Sequence, residues 1–264
     1  MGVGACKVTG KQVCNANADG VRCETTTTTA PVDEVCDGTD NDCDGLVDEP
    51  RSDPGSAPSF VVDDVVLVSS NLWAYKYEAS RPDATGTDQG IISSRACSRA
   101  GILPWTNLTY PEALAACQAA GMELCKLADW VATCQGGNSC VLSYTPSGSC
   151  SKGDPPAPAY PNDRAACNGH DLMAAPAAPD MDALAPTGSF AKCFTDVQGG
   201  QVFDLSGNAK EWTTGPESPG TNPLRGGSYN NLPGGMRCDF DFNLGSDTVR
   251  LPNVGFRCCS ATQP

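Results

Sequence analysis

Acidic side chains alternate along a short stretch near the N-terminus. Residues 35–49 read VCDGTDNDCDGLVDE, in which Asp40, Asp42 and Asp44 occupy every second position and Gly45 follows them. The alternation brings three carboxylates to one side of a tight loop, as in calcium loops of the EF-hand type. The candidate ligands of this head loop are Asp40, Asp42, Asp44, Leu46, Asp48 and Glu49.

The head loop departs from the EF-hand pattern at its end. The twelfth position holds Arg51 rather than Glu, so Asp48 or Glu49 would have to close the site. The segment also resembles a short Cys-Asp-Gly-x-Asp-Asn-Asp-Cys-Asp-Gly metal-binding motif of bacterial surface proteins. Carboxylates this close repel one another strongly when no cation lies among them. The alternative is an acidic, solvated loop without a cation.

A second stretch with metal-binding chemistry is residues 202–212, VFDLSGNAKEW. Its Ser-Gly-Asn turn places backbone carbonyls close to two carboxylates, Asp204 and Glu211. Carbonyl and carboxylate oxygens are the ligands that a hard cation such as Ca²⁺ takes. The alternative is a simple turn between two elements, with Trp212 in the core.

Composition limits the classes of protein that remain. The formal net charge of −14 and a pI near 4.3 argue against nucleic-acid binding, which needs clusters of Lys and Arg. Sixteen cysteines beside the single His170, with no Cys-x-x-Cys pair, indicate disulfides rather than zinc sites. Disulfides in this number predict an oxidising compartment, and the protein is therefore expected to be secreted or held at the cell surface. No apolar run reaches the ~18 residues of a membrane span.

The sequence predicts two parts. Residues 1–58 form a Cys-rich calcium-binding head with a linker, and residues 59–264 form a larger domain. Within the larger domain we predict a strand at 61–68, helices at 111–120 and 129–134, and mostly loop from 135 to 200. Further strands are predicted at 202–205, 225–229 and 255–259.

Several pieces of the larger domain, in this order, resemble the formylglycine-generating enzyme (sulfatase-modifying factor) family. They are WAYKYEAS (73–80), YPEALAAC (110–117), GMELCKLADW (121–130), GNAKEW (207–212), RGGSY (225–229) and GFRC (255–258). The resemblance runs from about residue 60 to residue 259. It implies an α+β fold related to C-type lectins, with much irregular loop.

The resemblance also implies two calcium sites. The first would use the side chains of Asp204 and Glu211 with the backbone carbonyls of Gly207 and Ala209. The second would use Asn168, the carbonyl of Gly169 and a carboxylate, for which Asp180 is preferred and Asp182 is nearly as good.

The catalytic residues of the family do not carry over. Its oxidases hold copper on two cysteines, at the third and eighth positions after the serine of Gly-Gly-Ser. Counted from Ser228, these positions hold Asn231 and Met236, and Asn cannot supply the thiolate that copper(I) needs. A related branch that holds iron on three histidines is excluded because His170 stands alone. We therefore predict that the protein is not an enzyme and has no catalytic residues.

The region where these oxidases bind substrate is the predicted ligand-binding surface. Planar amides, carboxylates and aromatic faces in such a mixture are typical of sugar and peptide binders. The alternative is that Phe240 and Phe242 are core residues and Cys238 is bridged. The candidate ligand-binding residues are Tyr229, Asn230, Asn231, Arg237, Asp239, Asp241 and Asn243.

These observations together predict a non-catalytic, extracellular binding module that calcium stabilises, adhesin-like or lectin-like. Its partner would be a surface glycan or protein, which the sequence does not identify. The alternative is a structural subunit of a bacterial surface assembly or filament, bound to neighbouring subunits. A copper oxidase of the formylglycine-generating type is a distant third.

Overall fold

The structure is a computed structural model, and it describes residues 10–17, 19–25, 31–48, 63–136, 142–143, 166–169, 183–215, 220–241 and 244–264. The chain divides into two compact units, Met1–Asp63 and Asp64–Pro264. The predicted boundary at residues 58/59 lies outside the described residues, so the domain assignment stays a prediction.

The described part of the first unit contains an antiparallel hairpin, β1 (Gly10–Cys14) paired with β2 (Val21–Thr25). Residues 31–48 follow without regular secondary structure. In that segment, backbone N–H groups donate mainly to carboxylate and amide side chains rather than to other carbonyls. Side chains therefore accept the backbone hydrogen bonds that the carbonyls of a sheet or helix would accept elsewhere.

The second unit is a mixed α+β domain with short elements, as predicted. Its elements are β3 (Val65–Ser69), β4 (Leu72–Tyr75), α1 (Tyr110–Ala119), β5 (Glu123–Leu124), α2 (Leu127–Gln135), β6 (Phe194–Val197), β7 (Gly200–Phe203), β8 (Lys210–Trp212), β9 (Thr221–Arg225), a 3₁₀ turn (Pro233–Gly235), β10 (Leu244–Ser246), β11 (Val254–Phe256) and β12 (Cys258–Ser260).

Two four-stranded sheets organise this unit. The first has the order β10-β9-β8-β11, in which β11 runs parallel to β8 and the other neighbours are antiparallel. The second has the antiparallel order β3-β4-β12-β5. A separate hairpin pairs β6 with β7. Since β11 and β12 are separated only by Arg257, that residue links the two sheets.

The two helices begin and end at clear sequence signals. At α1 the Thr109 backbone N–H donates to Glu112 Oε2 over 2.7 Å, and Pro111 lies in the first turn. At α2 the chain leaves the helix through Gly136 with a left-handed φ of 57°.

Two neighbouring cysteines bridge β12 to the rest of the domain. Cys258 pairs with Cys117 of α1, and Cys259 pairs with Cys125 just after β5. Because successive side chains of a strand point to opposite faces, the two bridges lie on opposite sides of β12. Each bridge therefore belongs to a different core cluster. Among the described residues, further disulfides join Cys134 to Cys238 and Cys167 to Cys193.

Most predicted elements are present, with three main differences. The strand predicted at 225–229 instead ends at Arg225, because Gly226 and Gly227 adopt left-handed φ values of 85° and 66°. The single strand predicted at 255–259 is two strands in two sheets. The region predicted to be mostly loop also holds the strand Phe194–Val197.

A search of the helices in the described ranges finds none with the length and apolar character needed to cross a bilayer.

Candidate functional site

The Ser-Gly-Asn turn lies between β7 and β8 and is fixed by long-range contacts. Gly207 has a left-handed φ of 89°, and a Cβ there would lie 2.3 Å from the carbonyl oxygen of Asn168. Asn208 also has a left-handed φ, 58°, and is buried. Its Oδ1 accepts hydrogen bonds from Asn168 Nδ2 (2.9 Å) and from the Ala185 N–H (2.8 Å). The turn therefore needs glycine at 207 because of close packing and an amide at 208 because of hydrogen bonds, whether or not a cation binds.

Glu78, which follows β4, holds the other side of this turn. Its Oε2 accepts from Asn208 Nδ2, and its Oε1 accepts from the Ala209 N–H over 2.8 Å. Glu78 is 1% exposed. Burial raises its pKa well above the ordinary value, and the nearby carboxylates of Asp204 and Glu211 raise it further. Sequence reasoning missed this role, although Glu78 lies inside the WAYKYEAS piece (73–80), which is one of those that carry the family resemblance.

Glu211 forms a buried ion pair with Arg257. Arg257 Nη2 donates to Glu211 Oε1 over 2.8 Å, and the two side chains are each 1% exposed. Trp130 Nε1, from α2, donates to Glu211 Oε2 over 2.6 Å. Arg257 also donates to the carbonyls of Tyr75 and Phe203, both over 2.8 Å. This one guanidinium thus connects the strand β8, the end of β4 and the end of β7.

Asp204 completes a cluster with an excess of negative charge. Its Oδ2 accepts from the Gly188 N–H over 2.6 Å, and its own backbone is left-handed, with a φ of 58°. Burial, opposed by the Gly188 N–H and Arg257, raises the pKa of Asp204 to about 7. Three buried carboxylates, Glu78, Asp204 and Glu211, therefore surround one guanidinium, and either a proton or a cation can offset the difference.

The predicted first calcium site falls in this cluster and stays a prediction. Gly207, Ala209 and Asp204 lie together in the turn as expected. Glu211, however, already accepts hydrogen bonds on both oxygens from Arg257 and Trp130. A cation would balance the excess of negative charge in the cluster. Because Glu211 is already paired with Arg257, Asp204 is the carboxylate best able to serve as a ligand.

The predicted second calcium site is only partly described. Asn168 is buried, and its Nδ2 donates to the Ala183 carbonyl and to Asn208 Oδ1, both over 2.9 Å. Gly169 lies against Met236, whose sulfur would be 2.5 Å from a Cβ at that position. Asp180 and Asp182 lie outside the described residues, so this site also stays a prediction.

In the first unit the structure brings Asp40 and Asp42 together with a residue that sequence reasoning missed. Carboxylate oxygens of Glu34, Asp40 and Asp42 lie within 4.8 Å of one another. Glu34 is 1% exposed, and Asp40 is 4% exposed. Glu34 Oε1 accepts from the N–H groups of Asn41 (2.6 Å) and Asp42 (2.8 Å). The signal for Glu34 was weak, since it lies six residues before the alternating aspartates begin.

The other predicted head-loop ligands lie outside that group, as far as the described residues go. Asp48 Oδ1 accepts from the N–H groups of Asp37 and Gly38 over 2.9 and 3.0 Å, which ties the two ends of the loop together. Asp44 is exposed and accepts from the Leu46 N–H. Glu49 is not described. The metal prediction for these positions stays a prediction.

Asn231 and Met236, at the positions of the family's two copper-binding cysteines, have structural roles. Asn231 Oδ1 accepts from the Ser228 N–H and lies 3.0 Å from Ser228 Oγ. Met236 is 2% exposed and packs in the core cluster of Leu142, Cys167 and Cys193. Its thioether fills the space between Gly169 and Gly207.

The cysteines nearest to these positions in the sequence are bridged. Cys238 pairs with Cys134, and Cys258 and Cys259 pair with Cys117 and Cys125. The described part of the chain contains one free cysteine, Cys14, which is exposed in the first unit. Copper(I) needs soft thiolate or thioether ligands, and no described free thiol lies in the second unit.

The predicted ligand surface is partly organised by contacts among its own side chains. Asn253 Nδ2 donates to Ser228 Oγ (3.0 Å) and to Asn230 Oδ1 (3.2 Å). Ser228 is buried, Asn230 is exposed, and Tyr229, Asn231 and Asn253 are partly exposed. Sequence reasoning missed Asn253, which reaches this surface from the chain before β11.

The acidic and basic candidates further along the loop engage each other. Arg237 donates to Asp239 through Nε (2.8 Å) and Nη2 (2.7 Å), with side chains 32% and 48% exposed. This hydrogen bonding lowers the pKa of Asp239. Asp241 is exposed, and Asn243 lies outside the described residues. Cys238 is bridged and Phe240 is partly buried, as the alternative of a structural loop expects, and the ligand-binding assignment stays a prediction.

A separate apolar groove of about 860 Å³ runs along the outer side of α2. None of the predicted ligand residues lines it. The groove is lined by Tyr110, Lys126, Leu127, Ala128, Val131, Ala132, Gln135, Thr214 and Gly215.

Comparison with known families identifies the class of protein that this fold and these motifs define. The sequence model of the sulfatase-modifying factor enzyme 1-like domain matches residues 38–262, and the chain belongs to this family. No curated protein matches the sequence.

Solved structures of the same fold are distant in sequence. Treponema denticola variable protein 1 is 14% identical, with a TM-score of 0.48 over 76% of this chain and 92% of that chain. PvdO from Pseudomonas aeruginosa is 13% identical, with a TM-score of 0.47 over 72% and 80% of the two chains. CarF is 14% identical, with a TM-score of 0.44 over 77% and 95%. At such identities the likeness concerns the fold alone.

Proposed function

We propose that this protein is a non-catalytic, extracellular binding module whose loops are stabilised by disulfides and calcium. The observation that carries the proposal is the chemistry at the family's copper-binding positions. Asn231 is held by Ser228, and the Met236 thioether is buried in the core. Cys238 is locked to Cys134. A site that must bind copper through two thiolates cannot be assembled from these residues.

The lack of oxidase activity can be tested directly. The full chain, with copper added, is incubated with a sulfatase-type Cys-x-Pro-x-Arg peptide, and the peptide is examined by mass spectrometry. We expect the cysteine to remain intact. A product in which the thiol has been converted to an aldehyde would overturn the proposal.

The binding surface is the patch formed by Tyr229, Asn230, Asn231 and Asn253, here called the amide patch. Its amides are positioned by hydrogen bonds to Ser228, while Asn230 remains exposed. Preorganised amides beside an aromatic ring are suited to a glycan or an extended peptide, because both offer alternating donors and acceptors.

A glycan and peptide array tests the amide patch. Wild-type protein is compared with a Tyr229→Ala/Asn230→Ala variant, and Asn71→Ala serves as a control because Asn71 is an exposed amide outside the patch. We expect the double variant to lose binding at least tenfold while the control keeps it. Equal binding by all three proteins, or binding by none of them, would contradict the assignment.

Calcium is proposed at the head loop, with Glu34, Asp40 and Asp42 as its carboxylate ligands. These oxygens are close enough to share one ion, and their mutual repulsion needs an offsetting cation. Metal content per chain, measured by mass spectrometry on protein purified without chelator, should show calcium. A Glu34→Gln/Asp42→Asn variant should lose one ion per chain, whereas Asp44→Asn, at the exposed neighbouring aspartate, should keep it. Unchanged calcium in the first variant would place the ion elsewhere.

The second candidate function, a subunit of a surface assembly, is favoured by the surface of the first unit. Aliphatic side chains there are strongly exposed, and Cys14 is a free, exposed thiol. If the chain assembles in this way, light scattering should show polymers that grow with calcium. A single small species at every calcium concentration would favour the binding module. The exposed aliphatic residues are Val21, Val32, Val35, Leu46 and Val47.

A further inference from the structure

Two side-chain amides of the amide patch contact each other and keep one hydrogen-bonding group each for a ligand. Asn253 Nδ2 donates to Asn230 Oδ1 over 3.2 Å and to Ser228 Oγ over 3.0 Å, which uses both of its hydrogen atoms. Asn230 Oδ1 also accepts from Ser228 Oγ over 2.7 Å, which fills its second lone pair. Among the described residues, Asn230 Nδ2 and Asn253 Oδ1 have no hydrogen-bond partner. The pair therefore offers one donor nitrogen and one acceptor oxygen.

Contacts from the buried part of the domain hold this pair in place. The backbone N–H of Tyr229 donates to the carbonyl of Asn208, in the turn before β8, over 2.9 Å. The carbonyl of Asn253 accepts from the N–H of Lys210, in β8 itself, over 2.9 Å. Both segments of the patch are thus attached to the same strand and its turn. Because the two amides are positioned before a ligand arrives, little ordering cost is added on binding.

The free donor and the free acceptor together select among ligand groups. A carboxylate only accepts hydrogen bonds, so it would leave the Asn253 oxygen without a partner, and the net charge of −14 repels it. An ammonium group only donates, so it would leave the Asn230 nitrogen without a partner. A secondary amide is neutral and carries both complementary groups, a carbonyl that accepts and an N–H that donates.

We propose that the amide patch recognises the acetamido group of an N-acetylated amino sugar, an inference that rests on the patch being the binding surface. Asn230 Nδ2 donates to the acetamido carbonyl, and Asn253 Oδ1 accepts from the acetamido N–H. Tyr229, partly exposed and adjacent to Asn230 in the chain, supplies an aromatic surface for the apolar parts of the sugar.

A peptide bond is also a secondary amide, but the patch suits it less well. An extended peptide repeats its amides about every 3.3 Å and needs a row of partners along a strand. The amide pair offers a single donor and a single acceptor, which matches one isolated acetamido group.

Saturation-transfer NMR on the full chain tests the ligand class. The probes are N-acetylglucosamine and N-acetylgalactosamine, compared with glucose and galactose, which carry a hydroxyl in place of the acetamido group. We expect saturation at the acetyl methyl of at least one N-acetylated sugar, and binding about tenfold tighter than that of its parent hexose. Equal binding by the parent hexoses, or no signal from either N-acetylated sugar, would overturn the inference. N-acetylglycine methylamide is the peptide arm, and binding as tight as that of the sugars would assign the patch to peptides instead.

A substitution of the same shape tests the donor itself. Asn230→Asp keeps an oxygen that accepts from Ser228 and Asn253 but replaces the free donor with a second acceptor. We expect it to weaken binding of the N-acetylated sugar at least about tenfold. Asn71→Asp adds the same charge at an exposed amide outside the patch and should bind like the wild type. If Asn230→Asp also binds like the wild type, the free donor is not used and the inference is wrong.

Failure of this inference differs from failure of the proposed function. If the array finds ligands that depend on Tyr229 and Asn230 but the N-acetylated sugars do not bind, the patch is a binding surface and only its ligand class is wrong. If no ligand depends on these residues, both proposals fail.

Discussion

The buried cluster around Glu211 and the surface loop at residues 228–241 use similar polar side chains in opposite ways. In the cluster the partners come from distant parts of the chain: Glu78 and Asn208 are 130 residues apart, and Glu211 and Arg257 are 46 apart. In the surface loop Arg237 and Asp239 are two residues apart, and Ser228 and Asn231 are three apart.

This difference distinguishes the residues that maintain the fold, in the cluster, from residues that can vary with function, in the loop. Residues of the cluster connect β8, α2 and the chain after β4, so a change there disturbs several elements at once. The exposed polar side chains of the loop contact mainly one another and Asn253, so a change in one of them stays local. The motif pieces that mark the family, including GNAKEW and GFRC, fall largely in the cluster. They therefore report the fold, and they say little about what the protein binds.

The largest expected effect comes from breaking the buried ion pair. Glu211→Gln removes the carboxylate that accepts hydrogen bonds from the buried Arg257 guanidinium, and we expect the free energy of unfolding to fall by about 3–5 kcal/mol. Asp239→Asn, which breaks a partly exposed pair of similar geometry, should cost less than about 1 kcal/mol. Urea unfolding of both variants with disulfides intact measures the difference. Equal losses would show that the two regions do not differ as the contacts indicate.

The second effect concerns the disulfide Cys134–Cys238, which joins α2, beside the cluster, to the loop. Replacing both cysteines with Ala removes a bridge that spans 104 residues of sequence and should lower stability by about 2–4 kcal/mol. Hydrogen exchange should rise first at residues 228–241, while amides of β8 and β11 stay protected. Faster exchange throughout the unit would mean that the loop is part of the core.

The third effect is a loss of stability with rising pH, which is expected of the cluster and not of the loop, where the lowered pKa of Asp239 acts in the opposite direction. The pKa of Asp204 is about 7 in the fold, against an ordinary value of 3.8. The stability that comes from keeping this carboxyl neutral is complete below about pH 3.8 and is lost as the pH rises to about 7, at no more than about 1.4 kcal/mol per pH unit.

Asp204→Asn isolates this contribution. In chelator the wild-type unfolding free energy should fall between pH 4 and pH 7, and the variant should show a flatter curve. Added calcium provides a further comparison, since a cation on Asp204 would favour its charged form and reduce the fall. Parallel curves for the two proteins would assign the dependence to other groups.

The fold was accessible from sequence because short pieces in a fixed order defined it. The helices at Tyr110–Ala119 and Leu127–Gln135 also followed from local signals, the proline near the first turn and the glycine after the last one. The position of β9 did not follow from local signals. The sequence predicted a strand that begins at residue 225, whereas β9 ends there because Gly226 and Gly227 have left-handed φ values.

The candidate sites were less accessible for a physical reason. The role of Glu78 depends on a turn 130 residues later, and no local spacing records such a contact. Glu34 joins the head-loop aspartates because residues 31–48 fold back on themselves, which an alternating pattern of aspartates does not indicate.

The neighbouring bridges at Cys258 and Cys259 bear on when the protein can fold. These residues and Arg257 come at the end of the second unit, yet they supply two of its disulfides and the guanidinium of its buried Glu211–Arg257 pair. Until they have been synthesised, neither those two bridges nor the ion pair can form, whereas the bridges Cys134–Cys238 and Cys167–Cys193 do not depend on them. The packing of the unit is therefore completed only when its last strand is available.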